Sequence, residues 1–132
     1  MTSTILLSDG LCPAGGGSWQ IVETFISTWS DRRAHSDGSS LYARLYSSVH
    51  GGQGYDARET LMNWAKMKRS FEDITQRYPA AKFKNSYASH ACVMQDKEAF
   101  RDAMAMLSTS EIDTSQWLQG HSYQACMRWA GV

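Results

Sequence analysis

The feature that most limits what this chain can become is a run of apolar residues at alternating steps of three and four, cut by one proline. Leu61, Trp64, Met67, Phe71, Ile74 and Tyr78 fall on one helical face. Pro79 comes next. It lacks an N–H and disfavours a helical Tyr78, so the helix is predicted to stop there and another to start just beyond. Phe83, Tyr87, Ala91 and Met94, at i, i+4, i+8 and i+11, mark that second helix. Asp96 is an N-cap candidate for a third, Glu98 suits its positive start, and Phe100, Ala103, Met104 and Leu107 form its stripe. Three amphipathic helices joined by such short connections must pack antiparallel. Small residues (Ala88, Ala91, Ala99, Ala103 and Ala105) allow close approach across the Gln95-Asp96 turn. One core is expected to hold Trp64, Phe71, Ile74, Phe83, Tyr87, Phe100, Leu107 and Trp129.

Upstream, Ser18 caps a predicted helix whose face is Trp19, Val22, Phe25, Ile26 and Trp29. Leu41, Tyr42, Leu45, Tyr46 and Val49 form another amphipathic stripe, stopped by Gly51, Gly52 and Gly54. Gly51-Gly52-Gln53-Gly54 follows no strand; it reads as a helix terminator, with anion binding as the second choice. Downstream, Thr114 or Ser115 is expected to cap a single turn holding Trp117 and Leu118, which Gly120 breaks. A closing helix over 121–130 carries Tyr123, Cys126, Met127 and Ala130 on one face. Residues 1–17 read as a flexible leader, since Gly15-Gly16-Gly17 costs too much backbone entropy for a regular element. Residues 4–7 are the one strand candidate, with no evident pairing partner. The expected fold is all-α: a leader over 1–17, then a single domain over 18–132 built as a compact bundle of five or six helices.

A length of 132 residues supports one core. Lys plus Arg equals Asp plus Glu at 13 each, which leaves no electrostatic footprint for nucleic acid. No run approaches the roughly 18 to 20 apolar residues of a spanning helix, so no membrane partner is expected. Residues 4–7 are too short for the apolar centre of a signal peptide and no positive residue precedes them, so a cytoplasmic location is expected. The three cysteines, Cys12, Cys92 and Cys126, are an odd and sparse set that suits a reducing compartment, although a single pair stays open.

No CxxC, HExxH or HxxxH occurs, and His90 and Cys92, two apart, lie about 200° apart around a helix. That argues against zinc. Cys92 and Cys126 read as small buried core residues. A thiol nucleophile would need His90 or His121 brought to one of them, which defines the alternative function, a Cys/His-dependent or metal-assisted hydrolase. GxSxG, a phosphate loop and a dinucleotide fingerprint are all missing from the chain. No catalytic residue, cofactor or metal ligand is assigned.

Charge is uneven along this neutral chain. Lys66, Lys68, Arg69, Arg77, Lys82 and Lys84 face only Glu72 and Asp73 between residues 66 and 84. Solvated helix faces would explain this. The functional reading is a basic rim around an apolar groove that adaptable methionines such as Met62, Met67, Met94, Met104 and Met106 could line. On that reading Lys66, Arg69, Lys82 and Lys84 bind an acidic protein surface or peptide.

Tyr42-Ala43-Arg44-Leu45-Tyr46, Asn63-Trp64-Ala65-Lys66-Met67-Lys68, Phe71-Glu72-Asp73-Ile74 and Arg77-Tyr78-Pro79 resemble bacterial tetratricopeptide-like helical proteins of unknown function. Ala88, Ala91-Cys92, Asp96-Lys97, Trp117 and Cys126-Met127-Arg128-Trp129-Ala130 continue the likeness, which spans roughly residues 42 to 130. Such units bind a segment of another protein on a concave helical surface, so the resemblance implies scaffolding or regulation. A second full period of about 34 residues is not traceable, which limits the expectation to one tetratricopeptide-like hairpin. The expected function is a non-catalytic interaction module: an adaptor, a regulator or an inhibitor or immunity-type protein.

Overall fold

The computed structural model describes residues 18–52, 54–118 and 122–132. The expected leader, the strand candidate at 4–7, Cys12, Gln53, Gly120 and His121 lie outside the described residues. Among those described the chain is all helical, with seven α-helices and no strand. They are α1 (Trp19–Arg32), α2 (Ala34–Asp37), α3 (Ser40–Ser47), α4 (Trp64–Arg77), α5 (Ala81–Val93), α6 (Lys97–Ala105) and α7 (Tyr123–Ala130). A π-helical turn, Ser48–Gly52, continues α3, and two 3-10 turns, Thr109–Glu111 and Thr114–Gln116, bridge α6 to α7.

The proline works as its chemistry requires. α4 ends at Arg77, Tyr78 is extended, and α5 begins after an extended Ala80. Aromatic contacts then run up the hairpin, Tyr78 on Phe83 at 5.8 Å and Phe71 stacked on Tyr87 at 5.0 Å. At the far end the Trp64 Nε1–H donates to Asp96 Oδ2 at 3.0 Å, so α4 and α5 are antiparallel. Asp96 also caps α6, accepting from the Ala99 N–H at 3.0 Å. The turn before it closes with the Asp96 N–H on the Ala91 carbonyl at 2.9 Å and Gln95 at φ 59°, a conformation in which glycine is usual. Ala88, Ala91, Ala99 and Ala103 are all buried, and α5 and α6 form the most extensive helix pair.

Three boundaries differ from expectation. α4 starts at Trp64, because the Asn63 side chain caps it by accepting from the Lys66 N–H at 3.0 Å; Leu61 precedes the helix and is 50% exposed. α6 stops at Ala105, where Ser108 and Glu111 form their own capping box, so Leu107 is only half-buried and lies outside the core. The turn near Trp117 is capped by Asp113, whose carboxylate accepts from the Ser115 N–H at 3.1 Å, in place of Thr114 or Ser115. The rest of the expected core holds: Phe71, Ile74, Tyr87 and Phe100 are buried, with Trp64, Phe83 and Trp129 packed against them.

α1 and α3 complete the bundle. Ser18 caps α1, and Val22 and Ile26 are buried. Glu23 accepts from the hydroxyls of Tyr42 (3.0 Å), Tyr46 and Ser27 (2.7 Å), which satisfies a carboxylate between two helices. The start of α3 is held from outside by Asp73, which accepts from the Ser39 N–H at 2.7 Å and from Arg77 Nε at 2.7 Å.

Cys92 and Cys126 correct the free-thiol reading: they form a disulfide with Cα atoms 5.9 Å apart, both residues buried. The bond ties the last turn of α5 to α7, which otherwise touches the bundle chiefly at α6. Arg101 adds a polar tie, donating from Nε (3.1 Å) and Nη2 (2.6 Å) to the Ala130 carbonyl at the end of α7.

Candidate functional site

Where α3 runs into its π-helical turn, its end faces the first two turns of α5 across a cleft of about 570 Å³. Residues 115–118 form the third wall. Its polar lining comprises Arg44, Lys82 and the hydroxyls of Ser47, Ser48, Ser86 and Ser115; Phe83, Trp117 and Leu118 supply an apolar side. No Asp or Glu is among the described lining residues. Among the described residues neither Arg44 nor Lys82 pairs with a carboxylate, whereas their neighbours do: Lys66 with Asp31, Lys68 with Asp96, Arg77 with Asp73 and Lys84 with Glu111. A cleft with this lining attracts an anionic group and offers an apolar surface beside it.

The third wall is fixed by one buried asparagine. The Asn85 side chain donates to the Ala81 and Glu111 carbonyls, each at 2.9 Å. Its oxygen accepts from the Asp113 N–H (2.9 Å) and the Trp117 indole N–H (3.2 Å), so all its hydrogen-bonding capacity is used. Ser89 adds a bond from the Leu118 N–H at 2.7 Å. Trp117 is thereby locked into the cleft wall, with its ring edge-on to Phe100 and Tyr123.

His50 and His90 also line the cleft, each almost wholly buried. His50 Nδ1 lies 2.9 Å from His90 Nε2, His90 Nδ1 lies 2.8 Å from the Ser86 carbonyl, and His50 Nε2 lies 3.0 Å from Thr60 Oγ1. A carbonyl only accepts, so His90 Nδ1–H donates to Ser86 O; with both rings neutral, as burial favours, His50 Nδ1–H donates to His90 Nε2 and the Thr60 hydroxyl, which also lies 3.0 Å from the Ala57 carbonyl, donates to His50 Nε2. Burial holds both below the ordinary histidine value; the neighbouring His90 adds to this at His50 while Asp56 opposes it, and at His90 the Ser86 carbonyl opposes it. His90 Nδ1 is committed as a donor and does not act as a base toward the Ser86 hydroxyl 3.4 Å away.

The residues expected to bind a partner do not converge. Lys66 is turned inward: its ammonium donates to Ser27 Oγ at 3.1 Å and lies over the Tyr42 ring at 5.1 Å. Lys84 is held 3.6 Å from Glu111 with its side chain 17% exposed. Arg69 is exposed on α4, and Lys82 is exposed in the cleft, its ammonium 5.1 Å from the Phe83 ring. In an antiparallel hairpin the Lys66/Arg69 end of α4 lies on the order of 15 Å along the axis from Lys82 and Lys84. The thiols of the hydrolase alternative are bonded to each other, and its second histidine, His121, lies outside the described residues. The glycine run, whose second reading was anion binding, brings Gly51 and Gly54 to the cleft.

Arg44, His50, Trp117 and the serines were missed as a set, since they come together only through tertiary packing. One signal was readable: His50 continues the Tyr42, Tyr46 spacing at i+8, and His90 falls three after Tyr87, so both occupy buried-face positions. Comparison with known family models, characterised proteins and solved structures finds no match to this chain.

Proposed function

We propose that this chain is a non-catalytic helical interaction module, an adaptor, regulator or inhibitor-type protein, that binds an acidic segment of a protein partner. The observation that supports this best is the cleft, where Arg44 and Lys82, without carboxylate partners among the described residues, stand beside Phe83, Trp117 and Leu118. Carboxylates on the partner would meet the two cations while an adjoining apolar side chain covers the aromatic wall. Arg69 on the exposed face of α4 serves as a steering charge, and the α4–α5 hairpin is the element to which the tetratricopeptide-like reading applies. The buried Cys92–Cys126 bond favours an oxidising compartment over the cytoplasmic one expected from the cysteine count. Among the described residues no helix is long and apolar enough to cross a membrane.

Selection from a random peptide display library tests the reading directly. Recovered sequences are expected to be enriched in Asp and Glu next to an aromatic or aliphatic residue, and to lose binding to the double variant R44E/K82E. Enriched sequences without acidic residues, or binding indifferent to the double reversal, would refute it.

A further inference from the structure

The His50–His90 chain is built to take up one proton without losing a hydrogen bond. Thr60 Oγ1 lies 3.0 Å from His50 Nε2 and also 3.0 Å from the Ala57 carbonyl. In the neutral state its hydroxyl donates to His50. If His50 Nε2 is protonated, the N–H donates to Thr60 and the hydroxyl swings to donate to Ala57, while the remaining bonds through His90 to Ser86 keep their direction. What opposes protonation is therefore burial, not the loss of a hydrogen bond.

The charged and titratable groups around the pair are few. From α3, the Tyr46 ring stacks on His50 at 5.4 Å with its hydroxyl committed to Glu23, and Arg44 lines the cleft. From the segment between the π-helical turn and α4, Asp56 acts on His50 and is itself bonded to Arg58. α4 contributes the uncharged Phe71 ring, 5.4 Å from His90; α5 contributes Lys82 and the Tyr87 phenol, and residues 115–118 no charge. In the empty cleft burial disfavours an imidazolium at His50, and the neighbouring His90 adds to this. An anion seated between Arg44 and Lys82 adds a favourable term to His50, which lines the same cleft.

We infer that the cleft is an anion site that takes up a proton with its ligand, His50 being the group that receives it. This rests on the proposed binding of acidic segments at the same cleft. Reciprocity of linkage then requires that a carboxylate ligand bind more tightly as the pH falls, over a range in which its own carboxylates stay ionised.

The probe is an acidic peptide recovered from the display selection, titrated into the full chain between pH 7.5 and 5.5. Its Kd is expected to fall by about three- to tenfold over that range. Calorimetry in two buffers of different ionisation heat should show net proton uptake that increases toward pH 5.5. Imidazole nitrogen shifts should report His50 as imidazolium in the complex at pH 5.5 and neutral in the free chain. H50N keeps a donor toward His90 and should flatten the pH dependence; if H50N does not fold, the nitrogen shifts of the unaltered chain decide. Tight binding with no change in Kd and a neutral His50 in the complex overturns the proton uptake alone. No acidic peptide recovered at any pH overturns the acidic-segment reading itself.

Discussion

Reducing the Cys92–Cys126 bond should cost this domain a large share of its stability. The bond closes a sequence separation of 34 residues. In the chain-entropy treatment a loop of that size removes about 3.8 kcal/mol of unfolded-state entropy at 25 °C. A domain of this size melts about 4 °C lower for each kcal/mol lost, so reduction should lower Tm by roughly 15 °C. The loss should also be local in its first effects. α7 is held by the disulfide, the Arg101 bonds to Ala130, and the Trp129 and Tyr123 ring contacts, with α6 as its main helical neighbour. Scanning calorimetry with and without a strong reductant measures the shift without altering a side chain. Amide exchange should then show the helix at Tyr123–Ala130 losing protection before α4 or α5 does. If the reduced chain melts within a few degrees of the oxidised one, the bond is not constraining the unfolded chain and this reasoning fails.

Acid should unfold the domain through the histidine pair. The folded state keeps His50 and His90 below their ordinary value, so the unfolded chain binds more protons; the stability is complete above about pH 6.5 and is lost as the pH falls below it. Each histidine contributes up to about 2 kcal/mol between pH 7 and 5, which urea denaturation at the two pH values reads out; an unchanged midpoint would contradict the burial argument. Gly38 has φ 61°, and a Cβ there would run into the Asp73 carboxylate and the Arg77 guanidinium, so Gly38→Ala should cost about 2–4 kcal/mol by strain and by loosening the cap on α3. Its thermal melt tests this, and a parent-like Tm would mean that the Asp73 cap carries no weight. Phe71→Ala removes a fully buried ring stacked on Tyr87 and should cost about 3–5 kcal/mol in chemical denaturation.

The elements that local chemistry determines were readable in the residues. Pro79 stops α4 because of its own ring, Asp96 caps α6 with its own carboxylate, and the spacing of Phe71, Ile74, Phe83 and Tyr87 follows from helical geometry alone. Boundaries were lost where a polar side chain outcompeted the apolar pattern, as when Asn63 capped α4 after Leu61 had suggested an earlier start. The disulfide was not readable as such, since nothing in the spacing of Cys92 and Cys126 tells whether α7 folds back onto the end of α5. Lys66 stood in the basic run read as a partner-binding rim, yet α1 brings Ser27 and Asp31 to it from a part of the chain that helical periodicity on α4 does not see.

The same distinction explains why the cleft escaped a reading built on runs of like charge. A cluster such as Lys66 to Lys84 draws attention through density, but most of its members are held by carboxylates inside the fold. Arg44 stands among Tyr42, Ala43, Leu45 and Tyr46 with no charged neighbour in sequence, and Lys82 is the one member of the basic run that the fold carries into the cleft. What makes these two cations available is the shortage of carboxylates around them among the described residues, a property of the fold. In a chain with zero net charge, a site is therefore better sought where the fold leaves cations without carboxylates than where the sequence concentrates them. The π-helical turn places His50 in the cleft that those cations line, and Asn85, by holding Trp117, keeps another wall in place for a ligand's apolar side.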